Sequence, residues 1–271
     1  MKKTAPIIIM LLYASAGFAQ IEKKVTYLLG VCPFDEVLRS YDTTNLSFIN
    51  SASLLSNNYV ITGVNGMSKH PLTDSLYVLY KESGNSSNRH LGVLNPITLK
   101  VNDKGATGDR FSGITFSDSG DLYGVTGDGA NNPEELYTLD TGNGTDGESI
   151  SWLPNSGSIY HWSGNGAPNV DQIFEKVDVQ NFTTNPINVT GTGFNEEVDG
   201  SMYWGNYKFL FQNHYSEFWF VDTLGQAVNT GVTSDNDLKG LAFFDCFKIR
   251  SEANGICPNG SALLIASEGF S

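Results

Sequence analysis

Cysteine, methionine and positive charge are scarce in this chain of 271 residues, which has three Cys, four Met and only 16 Lys and Arg. The cysteines are Cys32, Cys246 and Cys257, an odd number that leaves at least one without a partner inside the chain. None stands in a CxxC or other metal-ligand spacing, and the four histidines (His70, His90, His161, His214) are dispersed, so no metal site is expected. Twenty-nine acidic residues outnumber the basic ones and give a formal net charge of -13. A surface of that sign repels phosphate backbones and anionic lipid, and no basic patch offsets it, so no nucleic-acid partner is expected. There is no nucleophile elbow and no phosphate-binding loop, so no catalytic residue is assigned and no cofactor is expected. Beyond residue 20 there is no apolar run of ~18 residues, which argues against a permanent membrane span.

The N-terminus has a different layout. Lys2 and Lys3 precede an apolar run from Ala5 to Ala14, and the small residues Gly17 and Ala19 follow. This is the pattern of a secretory signal peptide cleaved after Ala19. The mature protein is therefore expected outside the cell or on its surface, with no membrane insertion after cleavage. Its 40% hydrophobic and 12% aromatic content is ample for one large all-β domain or two small ones.

Repetition is the strongest signal. In Phe111 to Thr141, GITFS and LYGV alternate apolar and polar residues around the turn cluster SDSGD, and ELYTLD closes on an acid after a Gly/Asn/Pro loop. The closing segment recurs as VLRSYDT, HLGVLNP, ELYTLDT, IFEKVDV and EFWFVDT, ending on Asp42, Asn95, Asp140, Asp178 and Asp222. These copies are spaced by about 40 to 50 residues, the period of a propeller blade. The preceding hairpin recurs from Gly66, Gly113, Ile150 and Asp199. Asp or Asn at the strand ends reads as turn capping, since such side chains bond the backbone two residues on. Calcium at DGANN, Asp128 to Asn132, is the less favoured alternative.

The first copy lacks a strand. YLLGVC matches DLYGVT, yet no GITFS-like strand lies before it, whereas KGLAFFD, Lys239 to Asp245, follows the fifth copy. The expected fold is all-β, a five-bladed β-propeller over residues 20–250, its first blade closed by the C-terminal strand, with Leu241 to Phe244 beside Leu28 to Val31. In this register Cys32 and Cys246 lie ~20 Å apart, beyond disulfide reach. Residues 1–19 form the signal peptide, and 251–271 a linker or the truncated start of a further domain.

The Gly-x-x-x-hydrophobic, Leu-Tyr-x-x and Leu-Tyr-x-x-Asp strands resemble those of secreted Bacteroidetes-type β-propeller proteins. The tail GICPNGSALLIAS, through Cys257, Pro258, Gly260, Ser261, Leu263, Ile265 and Ser267, resembles the opening strands of immunoglobulin-like modules common in such proteins. That resemblance implies that the chain is a fragment and that Cys257 pairs with a residue beyond its end; a flexible tail is the alternative. The family commonly carries a sorting domain for the type IX secretion route, a signal not found in these residues, and it supplies no catalytic residues.

Three functions follow as expectations. The first is a non-catalytic propeller for binding or adhesion, its partner a glycan or surface protein, with Trp162 and Trp204 beside Gly/Asn loops as candidate ligand-stacking residues. The second is a glycoside hydrolase of the five-bladed type, with Asp118, Glu197, Asp199 and Asp245 as candidate acids. The third is a structural spacer in a large surface protein.

Overall fold

The computed structural model describes residues 21–127, 130–131, 136–138, 149–163, 173–181, 183–191 and 197–249. The signal segment, Asp140, most of DGANN and everything from residue 250 onward lie outside them. Among the described residues the chain is all-β, with no α-helix.

Its strands fall into five sheets. The first contains β1 (Ile21–Val31), β2 (Val37–Asp42) and β3 (Phe48–Ser53). The second contains β4 (Leu55–Ser56), β5 (Ile61–Lys69), β6 (Leu76–Glu82), β7 (Asn85–Asn95) and β8 (Lys100–Ala106), with β4 parallel to β8 at the outer edge. The third contains β9 (Phe111–Phe116), β10 (Leu122–Thr126) and β11 (Leu136–Thr138). The fourth contains β12 (Ser149–Leu153), β13 (Ser158–Ser163), β14 (Ile173–Asp178) and β15 (Thr183–Pro186). The fifth contains β16 (Val198–Gly205), β17 (Lys208–Asn213), β18 (Glu217–Asp222) and β19 (Ala227–Thr233).

The last strand, β20 (Gly240–Ile249), joins the first sheet instead of starting another. It pairs antiparallel with β1, placing Leu28 opposite Phe243, Leu29 opposite Ala242 and Gly30 opposite Leu241. This is the closure expected from the displaced repeat strand. One detail differs. The strand paired with β20 begins at Ile21, well before Tyr27, because β20 itself continues through Cys246 (opposite Val25) to Ile249. Cys246 therefore sits within a strand, opposite Val25.

Alternation along the middle strands explains the packing. In β1, Tyr27, Leu29 and Val31 join the core against the second sheet, while Leu28 joins the core against the fifth. In β17, Phe209 and Phe211 pack toward the fourth sheet and Leu210 toward the first. A strand with sheets on both sides must be apolar on both faces. The remaining clusters fill the gaps between the second and third sheets (Leu79, Phe111, Ile114) and between the third and fourth (Val125, Ile150, Ile159, Val177). Each sheet thus shares one core with the sheet before it and one with the sheet after it, and the fifth returns to the first. The outer strands β3, β15 and β19 are largely exposed.

Strand ends are turned by the repeated acids. The side chain of Asp42 accepts from Thr44 N (2.7 Å), Asn95 from Ile97 N (2.9 Å), Asp178 from Gln180 N (2.8 Å) and Asp222 from Leu224 N (2.9 Å). Hydrogen bonds from the Thr44 hydroxyl and backbone hold the Asp42 carboxyl below its ordinary pKa. Cys32 is a buried free thiol, its pKa raised by burial, and it does not bond Cys246. Cys246 is disulfide-bonded. The other cysteine in the sequence, Cys257, lies outside the described residues.

Where β20 passes β5 the backbones nearly touch. A Cβ on Gly240 would stand 2.5 Å from Met67 N and 2.8 Å from Gly66 C, so any side chain there forces two strands apart. Gly240→Ala should therefore destabilise the protein by roughly 1–3 kcal/mol, as overpacking does. Urea denaturation measures it, and an unchanged midpoint would contradict so close an approach of the two strands.

Candidate functional site: the central channel

The innermost strands β5, β9, β12, β16 and β20 neighbour one another in that order, and β20 returns to β5. They run the same way along the axis they surround. Trp152 N donates to Thr115 Oγ1 (3.0 Å), and Asn155 N, three residues on, donates to Asp118 Oδ2 (2.7 Å), so β9 and β12 keep one offset. Small residues let the strands converge midway: the hydroxyls of Ser149 and Ser151 lie 2.7 and 2.8 Å from that of Ser201.

At the end where the inner strands finish, a cavity of about 350 Å³ is lined by Lys69, Phe116, Asp118, Trp152, Tyr203, Phe243 and Asp245, among others. Asp245 is the most heavily engaged acid. It accepts from Thr26 Oγ1 (2.7 Å) and pairs with Lys24 Nζ (2.9 Å) and Lys69 Nζ (3.6 Å). Desolvation pushes its carboxyl up, but the Thr26 and Lys24 hydrogen bonds and the two lysine charges outweigh that and hold it below its ordinary value. Asp118 is exposed and caps the β12–β13 hairpin through Asn155.

At the opposite end, where the inner strands begin, Asp199 is buried with only 3% of its side chain exposed. Its Oδ1 lies 2.9 Å from Lys239 Nζ, which is also 3.7 Å from Glu197 Oε1. Burial raises the Asp199 pKa despite Lys239. From Lys239 to Asp245 the chain runs along one strand for ~20 Å at ~3.3 Å per residue. The four candidate acids thus form two pairs at opposite ends, Asp118 with Asp245 and Glu197 with Asp199, so acids from different ends stand too far apart to serve as an inverting pair.

The tryptophan candidates fare differently from what their loop neighbours suggested. Trp162 is fully buried, with its ring 3.8 Å from that of Phe174 and 5.0 Å from that of Phe211, in the core between the fourth and fifth sheets. The expected exposure is corrected, because its place in β13 turns it to the interior face alongside Tyr160. Trp204 is half-buried, packed on Phe220 (5.2 Å) and Phe243 (4.9 Å), and does not line the channel. Trp152 and Tyr203 instead stand at the channel mouth, with Phe116 and Phe243. Their signal was available in sequence, since both lie on first strands of the repeated hairpin.

No protein-family model matches the chain, and no curated protein matches it in sequence. Solved structures do resemble it. A chain from the crystal structure of a nidogen/laminin complex superposes with a TM-score of 0.50 at 9% identity, over 80% of this chain and 98% of that one. A protein of unknown function from Bacteroides caccae gives a TM-score of 0.51 at 10% identity, over 84% of this chain and 100% of that one. With the propeller-like succession of sheets, these neighbours support a β-propeller fold.

Two predictions follow. Trp162→Ala removes a stacked core ring and should cost about 3–5 kcal/mol, more than Trp204→Ala; equal costs by chemical denaturation would contradict the packing. Because the folded-state pKa of Asp245 is depressed, its stabilisation is present above its ordinary value of 3.8 and is lost as pH falls below it. Asp245→Asn should therefore flatten the acid limb of the stability curve, and thermal melts between about pH 5 and pH 2 check it.

Proposed function

We propose that the five sheets are the blades of an exported, non-catalytic β-propeller that binds a ligand at the Lys69/Trp152/Asp245 end of its channel. The observation that carries this reading is the cavity of about 350 Å³, where Trp152, Tyr203, Phe116 and Phe243 stand among Lys69, Asp118 and Asp245. Aromatic faces beside paired charges suit a sugar ring, which stacks through its C–H face and hydrogen-bonds through its hydroxyls. The volume lies at the small end for ligand sites, so the channel would take the end of a glycan and leave the rest outside. Export rests on Lys2, Lys3 and the apolar run after them, and the acidic surface fits an extracellular setting. The nidogen/laminin neighbour supports the fold alone, so a protein partner has less behind it than a glycan.

The hydrolase reading is not favoured, because both candidate acids at the mouth are already engaged, Asp245 by Thr26 and Lys24 and Asp118 by Asn155. A glycan array probed with the wild-type protein, Lys69→Ala and Trp152→Ala tests the binding reading. The expected outcome is wild-type binding weakened at least tenfold in both variants, with Lys69→Ala folding as wild type because its side chain is partly exposed. No binding on the array, or binding indifferent to both changes, would contradict it.

A further inference from the structure

We propose that Asp199, His214 and Asp237, at the end of the channel opposite the ligand cavity, form a binding site for one divalent transition-metal ion. One ligand atom from each lies within 4.8 Å of the other two. The three residues come from separate parts of the chain: the start of β16, the turn after β17 and the loop leading into β20.

Each is held in place by something other than an ion. Asp199 is fixed by its strand and by Lys239 on Oδ1. His214 N donates to Glu197 O (2.9 Å), which ties its turn to the segment carrying Asp199. Asp237 Oδ1 accepts from Ser216 Oγ (3.0 Å), and the adjacent loop is clamped by fully buried Gln212, which bonds Leu238 N and Asn236 O. A donor set held this way is preorganised, as metal sites require.

One atom in the cluster asks for a cation. Asp199 Oδ2 is buried and has no protein hydrogen-bond partner, although a buried carboxylate oxygen normally has one. His214 Nδ1 is 3.9 Å from it, too far for a hydrogen bond but close to the spacing of two ligands on one small ion. His214 is 60% exposed and can close the remaining gap by turning its ring. Asp199 and Asp237 bring two carboxylates to the cluster, a charge suited to a divalent ion.

An imidazole beside two carboxylates favours zinc or a neighbouring first-row metal over calcium, which prefers an all-oxygen shell. Three protein ligands would leave a fourth position for water. Bound there, the ion would join β16, the β17–β18 turn and the approach to β20, next to the strand that closes the ring.

The test is calorimetric titration of Zn²⁺ into the chelator-treated full-length chain, made without a polyhistidine tag. The proposal expects one saturable equivalent per chain and a higher melting temperature with Zn²⁺. His214→Ala and Asp237→Asn should each weaken binding by at least about tenfold and abolish the thermal shift, while His70→Ala, at the other end of the channel, leaves both intact. Because His214 is exposed, its variant is expected to fold, and circular dichroism checks that. Absence of a one-equivalent site, or a site unaffected by both ligand variants, would overturn the proposal.

Discussion

The pairing of β1 with β20 is the constraint on which the rest of this molecule depends. A succession of sheets packed face to face leaves an unpaired edge and an uncovered face at each end unless the chain closes on itself. Here the first sheet takes its innermost strand from the far end of the sequence, so the ends of the array are bonded by a backbone ladder from Ile21/Ile249 to Val31/Gly240. Closure places the apolar faces of the first sheet against both the second and the fifth, and brings five inner strands around one channel. The close approach of Gly240 to Met67 and Gly66 shows how tightly this must be done.

Closure also gives the channel two ends of different character. Where the inner strands finish, aromatic residues and the charges of Lys69, Asp118 and Asp245 surround a cavity. Where they begin, Asp199 is buried and its neighbours are anchored by Gln212, Ser216 and Lys239. This division sets a binding mouth apart from a rigid base.

Much of the fold was legible in the sequence because its signals are local. The capping role of Asp42, Asn95, Asp178 and Asp222 follows from short-range hydrogen bonding, and the strand that closes the first sheet showed itself as a repeat unit displaced to the far end. Features that depend on which way a side chain faces were harder to read. HWSGNG suggests an exposed tryptophan, yet strand alternation carries Trp162 into the core beside Tyr160. The full extent of β1 was missed because IEKKVT lacks the repeat pattern and is a strand only by virtue of its partner. The gathering of Asp199, His214 and Asp237 had no sequence signal at all. Their separations match no ligand spacing, and only the packing of the fifth sheet against the loop before β20 brings them together.

Native-state hydrogen exchange resolved to individual amides tests the closure most directly. If β1 and β20 form one ladder that holds the ring, the amides of Lys24–Val31 and Gly240–Cys246 exchange together, as slowly as those of the buried strands β6 and β17, and only through global unfolding. Fast exchange along Gly240–Cys246 while β6 and β17 stay protected would show a ring that is not closed by this strand, and would contradict the account.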